Sequence, residues 1–163
     1  MRPTIRQVIK QREIVTDDWQ YADEDAAAPA VIVPLARFQQ ERDLWLVSKA
    51  KLGVRIGPAD SIESIAADLA RVSLVAIEFG GIAEGRSYTH AQLLRRRHNF
   101  KGEIRAVGKI QRDQVFYMAR CGFDSFEFPE GADLNVALTA FNDFSVAYQP
   151  SSDQGVELKK RAG

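Results

Sequence analysis

A chain of 163 residues, 45% hydrophobic and 27% charged, has the composition of an ordinary soluble protein and the length of one domain. Formal net charge is zero, which leaves no global case for nucleic acid or an anionic membrane surface as partner. One cysteine, Cys121, excludes an internal disulfide framework and a Cys-rich metal site. No stretch approaches the roughly 20 apolar residues of a membrane span, and the N-terminus lacks the apolar core of a signal peptide, so a cytoplasmic protein is expected.

The chain opens with alternating polar and apolar residues through Ile5, Val8, Ile9, Ile14 and Val15. The segment IKQREIV reads as a short β-hairpin around Gln11 and Arg12, which lack the Asn-Gly signature of a tight turn. Residues 21–30, YADEDAAAPA, read as an acidic, proline-broken linker. An alternation then begins. Strands are expected at 30–35, 53–58, 74–79, 103–110 and 124–129. Helices are expected at 37–49, 61–72, 89–99, 112–121 and 134–148. Gly122 is a natural stop for the fourth helix. The tail 150–163 is polar and expected to be flexible. The division is therefore 1–29 hairpin and linker, 30–149 α/β domain, 150–163 tail.

Near-continuous apolar strands between amphipathic helices imply a five-stranded, mainly parallel sheet with helices on both faces. Two architectures compete: an open flavodoxin-like sheet, which is preferred, and a partial relative of the (β/α)₈ barrel. A complete barrel needs at least about 200 residues and is excluded.

Ligands of such sheets bind beyond the carboxyl ends of the strands. After the third strand come Glu78, Glu84, Arg86, Ser87, Tyr88 and His90; after the fourth come Lys109, Arg112, Asp113 and Gln114. If these loops adjoin, Arg86, Tyr88, Lys109 and Arg112 face one basic crevice suited to a phosphate or a sulfur oxyanion. The plainer alternative pairs Arg86 with Glu78 or Glu84, and Arg112 with Asp113 or Glu103, on a solvated rim. Gly80, Gly81 and Gly85 form no dinucleotide or P-loop motif, so they point to turn geometry and specify no cofactor. His90 and His98 are too far apart to share a metal without other ligands, and none is expected. Cys121 is expected to be a buried structural thiol. Arg95, Arg96 and Arg97 read as a solvated helix end, with a docking patch for an acidic partner as alternative.

Three ordered segments carry a resemblance: GRSYTHAQLLR (85–95), GEIRAVGKIQRDQ (102–114) and RCGFDSF (120–126). Together they are similar to the bacterial family catalogued as domain of unknown function 934. Asp17-Asp18-Trp19 also fits that family's N-terminal part. Glu84 departs from the aspartate often found there. The resemblance implies a gene neighbour of an assimilatory sulfite reductase and an oxidoreductase label without a defined reaction. It thus implies an accessory protein of sulfite reduction that docks on the sulfite reductase or helps electrons reach it. The alternative is an oxidoreductase or other enzyme that processes a small anion in the basic crevice. Homo-oligomerisation stays open.

Overall fold

A computed structural model of the chain describes residues 6–80 and 84–143. Eight strands form one sheet: β1 (Gln7–Lys10), β2 (Glu13–Thr16), β3 (Gln20–Tyr21), β4 (Ala30–Pro34), β5 (Lys51–Ile56), β6 (Leu74–Phe79), β7 (Glu103–Gly108) and β8 (Ser125–Phe126). Their spatial order is β2-β1-β8-β7-β6-β5-β4-β3. From β3 to β8 every strand lies parallel to its neighbour in sequence. β1 runs antiparallel to both β8 and β2.

The α/β class is as expected, but the sheet is larger and mixed, not five-stranded and parallel. The hairpin adds two strands to one edge. At the other edge, Gln20 and Tyr21, at the border of the expected linker, pair with β4. A flavodoxin-type sheet reverses its strand order midway. The order here runs without reversal from β3 to β8, as in a barrel wall. Successive right-handed crossovers then place every helix on the same side. Accordingly, the helical core residues Phe38, Ala91, Leu94, Val115, Met118 and Ala140 all join one cluster with Val54, Ile77 and Ile104. This corrects the expectation of helices on both faces. The opposite face buries Ala30, Ile32, Leu74, Ala76 and Val107 under Trp19 and, at its border, Tyr21, without a helical residue among those described.

Local detail departs from the sequence pattern in physical ways. Gln11 and Arg12 both take positive φ, 51° and 66°, as the two-residue turn of a right-twisted hairpin requires. The expected helix at 37–49 is two, α1 (Leu35–Gln40) and α2 (Arg42–Val47), broken at Glu41. There the Glu41 carboxylate accepts from Arg37 Nε at 3.1 Å and from Trp45 Nε1 at 3.0 Å. Residues 61–72 wind as two 3₁₀ segments, Ile62–Ser64 and Ala66–Arg71, interrupted at Ile65. Ile62, Ile65 and Leu69 still reach the core. α3 (Glu84–Arg96) begins five residues earlier than expected. α4 (Val115–Cys121) ends at Gly122, φ 124°, in the left-handed conformation glycine allows. α5 (Leu134–Asp143) starts where expected; its continuation to 148 and the tail lie outside the described residues.

Arg95 is a half-buried clamp and not part of a solvated helix end. It donates to the carbonyls of Phe100 and Gly102, both at 2.8 Å, and of Gly122 at 3.0 Å. Cys121 is buried, and burial pushes its thiol pKa up.

Trp19 can cover the helix-free face because Gly53 lies beneath it. A Cβ at Gly53 would stand 3.2 Å from the Trp19 ring, 3.1 Å from Ile32 Cγ1 and 3.3 Å from Leu74 Cδ2. Gly53→Val is therefore expected to destabilise by about 1–3 kcal/mol in urea unfolding. The added loss should shrink in a Trp19→Ala background; an equal loss in both backgrounds would mean that the indole is not what limits the space.

Candidate functional site

Strand register sets the site. Residues directly opposite each other point to the same face. The pairs Arg55–Ala76, Ala76–Arg105 and Arg105–Ser125 thus form one row across β5 to β8, on the helix-free face. Leu74 and Glu103 are paired one step toward the amino ends, and Glu78 stands one step toward the carboxyl ends. Four lone charges inside apolar runs, Arg55, Glu78, Arg105 and Glu127, consequently share one surface.

Arg105 is the centre of that surface. Its side chain is 1% exposed, as is that of Asp17. The two form a bidentate pair, Nη1–Oδ2 2.8 Å and Nη2–Oδ1 3.0 Å. Arg105 also donates from Nη2 to Glu103 at 2.9 Å and from Nε to the Ser125 hydroxyl at 3.0 Å. Burial alone would lower the guanidinium pKa; the hydrogen bond and charge of Asp17, then Glu103, outweigh it and hold it above the ordinary value. Burial would likewise raise Glu103, but the charge of Arg105, with Ser125 and Lys10, keeps it below the usual carboxylate range. Asp17 accepts two further bonds, from Arg6 Nε at 3.0 Å and from the Trp19 amide at 3.2 Å.

Above this buried layer the face opens into a crevice of about 640 Å³ at the carboxyl end of the sheet. Its charged lining is Arg6, Arg55, Asp23, Glu24, Asp60 and Glu78; Tyr21, Pro34, Leu35 and Ala36 supply apolar surface. The guanidinium groups of Arg6 and Arg55 lie 4.8 and 5.3 Å from the Tyr21 ring centre. The Tyr21 hydroxyl donates to Glu127 at 3.0 Å. Burial, then the charge of Glu127, raises its pKa, so the phenol stays protonated at neutral pH. Arg55 Nε binds Glu78 Oε2 at 2.9 Å, with the two side chains 30% and 44% exposed.

Among the described residues, Glu78 is the sequence candidate that lines this crevice. Its partner is Arg55, and Glu103 pairs with Arg105 and Lys10. Ser87 is buried in the first turns of α3 and donates to the Glu78 carbonyl at 2.7 Å. Tyr88 is half-buried, edge-on to Phe79 and Tyr117. Burial first, then Glu84, raises the Tyr88 pKa, and Gln114 hydrogen-bonds it, so Glu84, Tyr88 and Gln114 do come together. Gln114 also accepts from the Gln111 amide in a capping box. Arg86 is exposed on the His90 side of α3. Lys109 is exposed, with its stem beside Gly80. Arg112 and Asp113 are exposed in the turn before α4, and Arg112 reaches Thr139 at 3.4 Å. Sequence reasoning passed over Arg6, Asp17, Tyr21, Arg55, Arg105 and Glu127. For three of them the signal was present: an apolar–charged–apolar triplet, VRI, IRA or FEF, matching the IEF of Glu78.

His90 is one of the buried residues of α3. The backbone of Gly57 and Pro58 stands near its ring, yet neither ring nitrogen has hydrogen-bond geometry to a partner among the described residues. Burial, with Arg86 nearby, lowers its pKa against the favourable influence of that backbone and Asp60.

A curled eight-stranded sheet with a mixed-charge crevice at the carboxyl ends of β4, β5 and β6 makes this an α/β protein. Residues 53–158 match the model of the family described as Bacterial protein of unknown function (DUF934), and the chain belongs to that family. No curated protein matches it. No helix among the described residues is long and apolar enough to cross a membrane.

Two predictions follow from the buried groups. Asp17→Ala removes the bidentate partner of the buried Arg105, leaving Glu103 and Glu127 as its remaining acids, and is expected to cost about 3 kcal/mol in chemical denaturation. Combined with Arg105→Met it should cost less than the two single losses added; strict additivity would show the pair to be energetically idle. His90 has a folded pKa below its unfolded value of about 6.5. Its contribution is complete above that value and is lost as pH falls below it. His90→Gln should flatten the fall in stability between about pH 7 and pH 5; an unchanged slope would assign that fall to other groups.

Proposed function

We propose that the chain is an accessory protein of sulfite reduction that holds a small ligand in the crevice at the carboxyl ends of β4, β5 and β6, and docks on the sulfite reductase. The observation that carries the ligand-binding half is the placement of Arg55. It is a half-exposed guanidinium beside Tyr21 and Glu78, in the position where parallel sheets bind ligands. The sulfite half is supported by family membership together with what the resemblance of the three motifs implies.

Arg55 suits an anionic group because its planar fork can present two parallel donors to a carboxylate or oxyanion. Arg105 is not the ligand-binding arginine: it is sealed beneath the crevice with its donors occupied. A second reading, an oxidoreductase or another enzyme that processes a small anion, draws support from Glu78. This carboxylate stands beside Arg55 and Tyr21, where it could accept or deliver a proton.

Deletion of the gene tests the first reading. The expected outcome is impaired growth on sulfate and sulfite, normal growth on sulfide, and co-purification of the sulfite reductase with the tagged chain. Normal growth on all three sources with no recovered complex would defeat it. Turnover of a small anion by the isolated chain, abolished in Glu78→Gln, would favour the second.

A further inference from the structure

We infer that the ligand of this crevice is a zwitterion of the α-amino acid class, carrying a carboxylate and an ammonium group on one carbon atom. This rests on the reading that the crevice binds a small ligand, and it names the chemistry of that ligand.

The first argument is charge. The crevice is lined by two guanidinium groups, Arg6 and Arg55, and by four carboxylates, Asp23, Glu24, Asp60 and Glu78. A plain anion would enter a site richer in negative than in positive charge, and like charges at close range disfavour it. A plain cation would sit against Arg55. A ligand bearing both charges meets both.

The second argument is which charges are already committed. Arg6 is tied to Asp17 at 3.0 Å and to Glu24 at 3.2 Å. Asp60 accepts from the Gly57 amide at 2.7 Å, closing the turn after β5. Asp23 is exposed at the rim, and Arg55 and Glu78 are committed only to each other. Their one contact joins Nε to Oε2. Among the described residues, the Arg55 Nη atoms and Glu78 Oε1 have no hydrogen-bond partner. The pair therefore presents a two-pronged donor and a charged acceptor side by side, held together by its own ion pair. An α-carboxylate on the Nη prongs and an α-ammonium on Oε1 use both ends without breaking the 2.9 Å contact. The amino acid side chain then lies along Pro34, Leu35 and Ala36.

Isothermal titration of the full chain with each of the twenty standard L-amino acids tests this, alongside sulfite and sulfate. At least one amino acid is expected to bind. Its deaminated carboxylate and its methyl ester should each bind about tenfold more weakly or worse, since each lacks one charge-assisted hydrogen bond. Glu78→Gln separates the two charges: it should weaken the amino acid and strengthen the deaminated carboxylate. Arg55→Ala, checked for folding by circular dichroism, should abolish binding of both. Binding of sulfite or sulfate without any amino acid would overturn the zwitterion and leave a crevice for simple anions. Equal affinity for the amino acid and its deaminated analogue would overturn it as well. No binding by any of these compounds would overturn the zwitterion and remove the crevice from the proposed function, leaving docking on the reductase to its own test.

Discussion

The helix-free face of the sheet closes around one buried ion pair, Asp17 with Arg105. Removing two charges from water costs several kcal/mol for each ion, and only complete hydrogen bonding offsets that loss. Here it is complete to an unusual degree. Arg105 meets two oxygens of Asp17, one of Glu103, and the hydroxyl of Ser125; Asp17 meets two arginines and an amide of its own turn. The pair also bridges distant parts of the chain. Asp17 lies in the connection from β2 to β3, the two edge strands, whereas Arg105 sits on β7 inside the sheet. Drawing that connection across the helix-free face seats Trp19 over Gly53 and brings Tyr21 to Glu127. A face that would otherwise expose apolar strand surface is closed by residues 17–21. The segment 53–158 that matches the family contains Arg105 and its partners Glu103 and Glu127, while the bidentate partner Asp17 comes from the N-terminal connection.

The charged groups of this face differ in exposure. Further along the same row, Arg105 is sealed and saturated. At the opening, Arg55 and Glu78 are paired once and remain partly exposed. An ion pair at such a surface contributes little to stability, with a typical value of about 0–1 kcal/mol. Stability alone therefore gives weak reason to place Arg55 and Glu78 inside apolar strands. Polar groups available to a ligand give a stronger one. The contrast between two arginines in the same row of the sheet carries more weight than either arginine considered by itself.

Much of this was legible in the sequence. The apolar runs at β4 to β7 mark buried strands, and the Gly122 stop and the start of α5 follow from local chemistry. The hairpin was legible from alternation even without a favoured turn sequence. Helix type at 61–72 was not, because the same apolar spacing serves 3₁₀ turns and an α-helix over so short a stretch. Nor was the strand order, which arises from crossover direction and not from any residue pattern. The site was half legible. Glu78 stood out as a carboxylate in an apolar run, and the same reasoning applied to Arg55, Arg105 and Glu127 would have assembled the face. Asp17 could not have been found that way: its partner lies 88 residues on, and nothing local encodes the meeting.

The crevice described above is lined by charges of both signs, for a reason that reaches beyond this chain. Residues 80–120 carry a clear excess of arginine and lysine. Three of those bases point inward. Arg105 neutralises Asp17, Arg95 clamps three backbone carbonyls, and Arg120 is buried. Others, such as Arg86, Arg96, Arg97 and Lys109, stand on the exposed side of the helices and loops. The charges that line the crevice at the carboxyl ends of β4 to β6 come from elsewhere, Arg6 and Arg55 with the acids around them. Charge density along a sequence measures supply, while the chemistry of a pocket depends on which charges remain after the fold has used its share. Here the remainder is of mixed sign, and that favours a ligand that is itself of mixed sign.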